Sequence, residues 1–157
     1  MKLYLAGGLF NAGERLHNLY LEKHLKDLGY DVILPQREAL RFFDCEKFNL
    51  AGITANCVEQ SADFGNIYVG CIDGPDADSG TCVEYGIAIE AKGFAIVYRT
   101  DLRTALDREV GINAMLNAHE TAMIYYPCIF TELSEVEEYY KNLAQKIHEA
   151  IQESASQ

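Results

Sequence analysis

The most informative stretch of the sequence is Ile67-Tyr-Val-Gly-Cys-Ile-Asp-Gly-Pro-Asp-Ala-Asp-Ser-Gly-Thr-Cys-Val-Glu84. Residues 67–72 are apolar on both faces, which predicts a parallel strand covered by helices on each side. The Gly-Pro pair at 74–75 ends this strand, and an Asp-Ser pair at 78–79 is typical of a helix start. Gly93 is a typical helix stop. The stretch therefore predicts a strand, an acidic loop and a helix.

Glu84 has two interpretations on that helix. Ile87, Ala88 and Ala91 follow it by three, four and seven residues, so Glu84 should face the core, where a carboxylate is costly unless it is paired or used. In one interpretation Thr81-Cys-Val-Glu84 is a capping box, and Glu84 binds the amide of Thr81. In the other, the positive end of the helix keeps Glu84 ionised as a nucleophile.

Composition bounds the class of protein. The chain has 157 residues, is 49% hydrophobic and carries a formal net charge of −11. This predicts one globular domain over residues 1–157, with residues 152–157 as a frayed tail. Since no basic stretch offsets the negative charge, we expect neither nucleic acid nor an anionic membrane as a partner. A small neutral or cationic molecule fits better.

Cysteine and histidine usage indicates a reduced cytoplasmic protein without a disulfide framework or a metal site. The five cysteines are odd in number and lack C-x-x-C spacing, and the four histidines are dispersed. The amino terminus is typical of a first strand rather than of a signal peptide. No segment approaches the roughly 18 apolar residues of a membrane span.

Strands and helices alternate along the chain. The predicted strands are Lys2–Ala6, Val32–Leu34, Ile67–Ile72, Ala95–Tyr98 and Ala122–Tyr126. The predicted helices are Glu14–Leu28, Asp44–Gln60, the helix that contains Glu84, and Ser134–Ile151, with a short loop or helix at Gly111–Asn117. This alternation predicts an α/β protein with a doubly wound parallel sheet of five strands. Ligands of such sheets bind beyond the carboxyl ends of the strands.

Two carboxylates are candidates for chemistry at those ends. Asp78 precedes Glu84 by six residues across a helix start, so both could face one pocket while one attacks and the other donates a proton. Asp78 also has the simpler role of helix cap, and solvation is the ordinary state of the neighbouring loop residue Asp73.

Two further candidates come from the first strand and the loop after it. Tyr4 lies on a strand that is central in most doubly wound sheets, so its hydroxyl could reach Glu84. Phe10 is either a core residue or a flat face on which a ring stacks. The loop Gly7–Gly13 is better interpreted as a tight turn than as a phosphate cradle, because it matches neither common phosphate-binding motif.

The motifs Tyr4-Leu-Ala-Gly-Gly-Leu-Phe10, Asp78-Ser-Gly-Thr-Cys-Val-Glu84-Tyr-Gly and Gly111-Ile-Asn-Ala-Met115 resemble the nucleoside 2-deoxyribosyltransferase family. The resemblance covers the chain from the first strand to about Met115. It implies a flavodoxin-like sheet in a single three-layer domain and a homo-oligomer built of dimers, usually a hexamer. It also implies a ping-pong transfer of 2-deoxyribose between nucleobases, with deoxynucleosides and free bases as the partners and no cofactor.

The resemblance also assigns roles to residues. It makes Glu84 the nucleophile at the anomeric carbon, Asp78 the acid that protonates or hydrogen-bonds the leaving base, and Tyr4 the residue that holds Glu84. The expected substrate-binding residues are Gly7, Phe10, Gln36, Asn56, Asp73, Gly80, Asn113 and Met115. Within this set, Phe10 stacks on the base, Asn56 lies near the sugar, and a neighbouring subunit supplies Asn113 and Met115. Either Gln36 or Glu38 reads the base.

Two alternatives remain open at this point. A related hydrolase would use Glu84 to cleave a 2′-deoxynucleoside 5′-monophosphate, admitting water in place of the second base. Such an enzyme needs a phosphate pocket, whereas the chain is strongly acidic and has Asn113 rather than a basic residue at the sugar end. A nucleotide-sensing module would bind the same ligands without turnover.

Overall fold

A five-stranded, all-parallel sheet forms the centre of the computed structural model, which describes residues 1–44, 46–103, 112–116 and 121–155. The strands are β1 (Lys2–Ala6), β2 (Asp31–Ile33), β3 (Asn66–Cys71), β4 (Ala95–Arg99) and β5 (Thr121–Tyr125). Their order in the sheet is β2-β1-β3-β4-β5, and each neighbouring pair is parallel. This flavodoxin-like order confirms the predicted fold class. Each strand lies within one residue of its predicted bounds.

Helices cover both faces of this sheet. They are α1 (Ala12–Asp27), α2 (Pro35–Glu38), α3 (Leu50–Ala62), α4 (Ser79–Lys92) and α5 (Val136–Ser154). Short 3₁₀ turns occupy Ala39–Phe42, Ala114–Leu116 and Leu133–Glu135. Among the helices of the described ranges, none is long and apolar enough to cross a membrane.

Two predicted helix bounds differ from the structure by three residues or more. The helix predicted from Asp44 begins only at Leu50, because Asn49 caps it by accepting a hydrogen bond from the amide of Gly52 at 3.0 Å. Just before that cap, Phe43 and Phe48 form an antiparallel bridge with their ring centroids 4.9 Å apart. At the other end of the chain, α5 continues to Ser154, three residues beyond the predicted end.

Alternation along β1 divides the core between the two faces of the sheet. Leu3 and Leu5 pack with residues of α1 and α5, whereas Tyr4 and Ala6 pack with residues of α4. Because successive side chains of a strand point to opposite faces, the position of Tyr4 in β1 fixes which helix its hydroxyl can reach. That helix is α4, which carries Glu84.

The two ends of α4 are fixed by the residues that the sequence indicated. Asp78 is the N-cap, and its Oδ2 accepts from the amide and the hydroxyl of Thr81 at 2.9 and 3.0 Å. Gly93 ends the helix in the left-handed conformation, with φ of 69°. Since Thr81 is the third helical residue rather than the cap, the capping box predicted for Thr81 and Glu84 does not form. The carboxylate of Glu84 is left available for another contact.

Candidate functional site

A cavity of about 510 Å³ opens at the carboxyl end of the sheet, beside Glu84. The loop after β1 contributes Gly7, Leu9 and Phe10, and the first turn of α4 contributes Asp78 and Gly80. The opposite walls come from α2, from the segment that leads into α3, and from α3 itself. The cavity lies where doubly wound folds bind their ligands.

Tyr4 and Glu84 meet directly at this cavity. The Tyr4 hydroxyl donates a hydrogen bond of 2.8 Å to Oε1 of Glu84. Tyr4 is fully buried, and burial first, then the charge of Glu84, holds the pKa of Tyr4 far above its usual range. The hydroxyl therefore stays protonated and acts as a permanent donor.

The environment of Glu84 raises its pKa above that of an ordinary glutamate. Burial raises the pKa of Glu84, and the nearby charge of Asp78 acts in the same direction. Hydrogen bonds from Tyr4 and Cys57 oppose this rise by stabilising the ionised form. The result is a carboxylate that is more basic than an ordinary glutamate and is held in place by donors.

Cys57 is a site residue that the sequence analysis missed. Its thiol lies on α3 within hydrogen-bonding reach of both Tyr4 and Glu84, and burial raises its pKa so that it remains a neutral donor. Ile53, Asn56 and Cys57 all line the cavity. Asn56 and Cys57 follow Ile53 by three and four residues, which is the spacing of one helix face. The prediction of Asn56 as a site residue therefore also indicated Cys57.

Asp78 serves both the helix and the cavity. Its Oδ2 is occupied by the cap bonds to Thr81, and among the described residues its Oδ1 has no hydrogen-bond partner. A side chain at Gly80 would bring its Cβ to 3.2 Å from that capping oxygen. The cap therefore favours glycine at position 80, and it leaves one oxygen of Asp78 for a ligand.

Six of the residues predicted from sequence line this cavity together. They are Gly7, Phe10, Asn56, Asp78, Gly80 and Glu84, with Tyr4 directly behind Glu84. The Phe10 side chain is 80% exposed, and Phe42 and Phe48 also line the cavity. The cavity therefore offers aromatic rings that could cover a flat ligand.

Gln36 is not among the residues that line the cavity. Its side chain is buried, its Oε1 accepts from Asn18 at 3.1 Å, and its Nε2 donates to the carbonyl of Arg15 at 3.3 Å. Because both ends of the amide bind the protein, Gln36 fastens α2 to α1. Of the two base-reading candidates, the structure places Glu38 in the cavity wall.

Asp73 is likewise held away from Glu84. Its carboxylate accepts from the amide and hydroxyl of Thr100 at 2.6 and 2.5 Å and from the amide of Asp101 at 3.0 Å. It lines a separate cavity beside His17 and Tyr140. The contacts of Asp73 tie the loop after β3 to the loop after β4.

Asn113 and Met115 lie on the opposite side of α4 from Glu84. They line a cavity of about 450 Å³ together with Tyr85, Gly86 and Ile89. Met115 is 80% exposed, and its amide donates to Oδ1 of Asn113 at 2.9 Å. Their expected place in a neighbouring subunit's site stays a prediction, and the Gly111 of their motif lies outside the described residues.

Within residues 1–44, 46–103, 112–116 and 121–155, no group of three or more His, Cys, Asp or Glu side chains could hold a metal ion.

Comparisons with known proteins bear on the family and the fold of the chain. A family model described as nucleoside 2-deoxyribosyltransferase matches residues 3–143. Among curated proteins, none matches the chain. A solved structure of a 2-deoxyribosyltransferase from the psychrotolerant bacterium Bacillus psychrosaccharolyticus is similar at a TM-score of 0.62 and 26% identity, covering 88% of this chain and 92% of that one. A conserved protein from Enterococcus faecalis V583 shares the fold at a TM-score of 0.61 and 20% identity, covering 90% of this chain and 98% of that one.

Proposed function

Because the chain belongs to the nucleoside 2-deoxyribosyltransferase family, we propose that it transfers 2-deoxyribose between nucleobases through a covalent sugar–Glu84 intermediate. The observation that carries the proposal is the 2.8 Å hydrogen bond from Tyr4 to Glu84, at a cavity that Asp78 also lines. An oriented carboxylate beside a second acid is the arrangement that glycosidic bond cleavage with retention requires.

The first half-reaction breaks the bond between the sugar and the donor base. Tyr4 holds Oε1 of Glu84, so that the other oxygen, Oε2, attacks the anomeric carbon as the carbon–nitrogen bond breaks. The positive charge that develops on the sugar is stabilised by the carboxylate before the new carbon–oxygen bond closes. Asp78 hydrogen-bonds or protonates the leaving base through its oxygen that does not cap α4.

The second half-reaction reverses these steps with another base. A ring nitrogen of the acceptor attacks the anomeric carbon, the bond to Glu84 breaks, and Asp78 receives the proton that the acceptor loses. Each step inverts the configuration at that carbon, so the product retains the configuration of the donor. The aromatic rim formed by Phe10, Phe42 and Phe48 would hold each base in turn and shield the intermediate from water.

The same proposal assigns residues to the sugar and predicts an oligomer. Asn56 on α3 lines the cavity close to Glu84 and is a suitable partner for a sugar hydroxyl. We assign Asn113 and Met115 to the site of a neighbouring subunit, since in their own chain they lie beyond α4. The active protein is then at least a dimer.

The experiment that tests the proposal is a base-exchange assay with deoxyinosine or deoxyuridine as donor and several free bases as acceptors. We expect a new deoxynucleoside to form in the wild type and none in Glu84→Gln. A slow 2-fluoro nucleoside analogue should leave the sugar attached to a peptide containing Glu84, detected by mass spectrometry. Exchange of undiminished rate in Glu84→Gln contradicts the proposed nucleophile.

The products of the reaction distinguish the hydrolase alternative from the transferase. The hydrolase would release the base from a deoxynucleotide in water without forming a new nucleoside, whereas the transferase needs an acceptor base. Arg15 is the cationic side chain that the described residues contribute to the cavity, and its guanidinium donates to the carbonyl of Leu9 in the loop after β1. One cation that already binds the protein makes a weak phosphate pocket, which favours free nucleosides over nucleotides. Binding of nucleosides without release of base would instead identify a sensing module.

A further inference from the structure

Tyr68 lies beside Tyr4 in the sheet. Strands β1 and β3 pair in register at these two residues, and the centroids of the two rings are 6.2 Å apart. Both rings are buried in the cluster that packs against α4. Two neighbouring strands therefore each direct a tyrosine hydroxyl towards the same helix.

The Tyr68 hydroxyl binds the first turn of α4 and has space made for it. It donates a hydrogen bond of 3.0 Å to the carbonyl of Thr81. Burial first, and then the charge of Glu84, holds the pKa of Tyr68 well above its usual value, so the hydroxyl stays protonated. A Cβ at Gly70, two residues further along β3, would lie 2.8 Å from the hydroxyl oxygen. Glycine inside a strand costs stability and marks a close approach, which here is that of Tyr68.

Thr81 is bound through all of its polar groups. Its carbonyl accepts from Tyr68, while its amide and its hydroxyl donate to Oδ2 of Asp78 at 2.9 and 3.0 Å. Thr81 is also buried. It therefore connects the carboxylate of Asp78 to the sheet, because the residue that anchors it belongs to β3.

The two acids of the cavity are spaced around Thr81. Asp78, Thr81 and Glu84 follow one another at intervals of three residues, which places them on one side of α4. Asp78 and Glu84 both line the cavity. The sheet holds Glu84 directly through Tyr4 and holds Asp78 through Thr81. The distance between the two carboxylates thus depends on both tyrosines.

We propose that Tyr68 is a positioning residue that, through Thr81, fixes the carboxylate of Asp78 relative to Glu84 during base transfer. The inference rests on the proposed function, in which Asp78 exchanges a proton with the base. Without the Tyr68 hydroxyl, the start of α4 loses its bond to the sheet while Glu84 stays bound to Tyr4. A displacement of about 1 Å at a catalytic group can slow a reaction by roughly a hundredfold.

The first test measures the anchor without using activity. The amides of Thr81 and Cys82 both donate to Asp78, to its Oδ2 and to its carbonyl at 2.9 Å each. In Tyr68→Phe we expect deuterium exchange of these two amides, resolved by NMR, to become about tenfold faster, because one hydrogen bond that opposes opening of the turn is lost.

The matched control is Tyr98→Phe. Tyr98 is as deeply buried as Tyr68, but it lies on β4 in the cluster on the opposite face of the sheet, and its hydroxyl pairs with His17 at 2.9 Å. Its substitution should leave the exchange of both amides unchanged. Unchanged rates in Tyr68→Phe, or an equal increase in Tyr98→Phe, would overturn the inference.

The second test is a double-mutant cycle on the transfer reaction with Tyr68→Phe and Asp78→Asn. Asparagine still caps a helix, so Asp78→Asn removes the acid and keeps the turn. We expect Tyr68→Phe alone to lower kcat about tenfold with little change in KM. The double variant should be no slower than Asp78→Asn, since no acid remains to be positioned. Losses that multiply, or wild-type kcat in Tyr68→Phe, would show that Tyr68 does not act through Asp78.

The failure of the proposed function gives a different result. If the wild type exchanges no base with any donor, the transferase proposal fails and the role of Tyr68 in transfer fails with it. The amide exchange rates still decide whether Tyr68 anchors Thr81. Comparable unfolding midpoints of Tyr68→Phe and Tyr98→Phe exclude a folding defect as the cause of any difference in kcat.

Discussion

Tyr4 on β1 and Glu84 on α4 are eighty residues apart in the chain, and a hydrogen bond of 2.8 Å joins them. The bond links the central part of the sheet to the helix that begins at its carboxyl edge. It occupies one oxygen of the carboxylate and leaves the other to the cavity. Removing the Tyr4 hydroxyl should therefore change catalysis in a way that depends on pH.

Tyr4→Phe should lower kcat/KM for base exchange by about ten- to a hundredfold, since a hydrogen bond to a charged group is lost from an otherwise intact core. Loss of this donor also removes a contact that favours the ionised carboxylate, so the acid limb of the pH profile should move to higher pH. The matched control is Tyr30→Phe, which removes a hydroxyl that binds His148 far from the cavity. An acid limb that stays in place in Tyr4→Phe would contradict the orienting role.

The wild-type enzyme should lose activity on the acid side at a pH above the ordinary titration range of a glutamate. Burial raises the pKa of Glu84, and only the ionised form attacks the sugar, so kcat/KM should fall as the pH drops through that raised pKa. The measurement is kcat/KM for the donor nucleoside between weakly acidic and neutral pH. An acid limb below the usual glutamate range would show that the hydrogen bonds outweigh burial.

Cys57→Ala should shift the same acid limb upward, by less than Tyr4→Phe does, because a thiol is a weaker donor than a hydroxyl. Cys57→Ser restores a donor of similar size and should return the limb to its wild-type position or below it. The pH profiles of these two variants are compared at equal substrate saturation. If both variants reduce kcat without moving the limb, Cys57 acts through packing rather than through Glu84.

Arg37→Ala should destabilise the protein by about 1–3 kcal/mol, because it leaves the buried carboxylate of Glu22 with fewer partners. Burial alone would raise the pKa of Glu22, but the hydrogen bonds from Arg37 and Lys26 outweigh it and lower the pKa. A lowered pKa stabilises the fold above the unfolded-state value, and this contribution is lost as the pH falls through the folded-state value. Urea unfolding at neutral and acidic pH should show a smaller loss from Arg37→Ala at acidic pH.

Asn113→Ala and Glu84→Gln should each abolish most exchange activity alone but complement each other when mixed. If a neighbouring subunit supplies Asn113, a hybrid dimer contains one site with both substitutions and one with neither, so random pairing restores about a quarter of wild-type activity. The mixture is unfolded and refolded together, and each variant refolded alone is the control. No recovery in the mixture would place Asn113 in the site of its own chain or outside any site.

The sequence pattern predicted the order of the strands and helices and part of the candidate functional site. Apolar runs bounded by Gly and Pro gave five strands within one residue of their positions, and Asp78 and Gly93 marked the ends of α4 correctly. The start of α3 was misplaced because residues Asp44–Asn49 have enough apolar and charged side chains to extend a helical pattern. In the structure, pairing of Phe43 with Phe48 and the cap at Asn49 end that pattern.

Local sequence determined which helix carries Glu84, because caps and periodicity act over a few residues. Whether that carboxylate closed a capping box or faced a cavity was decided by tertiary structure, since the competing partner, Tyr4, comes from a distant strand. The same holds for Gln36, which binds Asn18 and Arg15, and for Cys57, which reaches Tyr4 and Glu84. Hydrogen-bond partners far apart in the chain are chosen by the order of strands in the sheet, and that order brings β1 between β2 and β3.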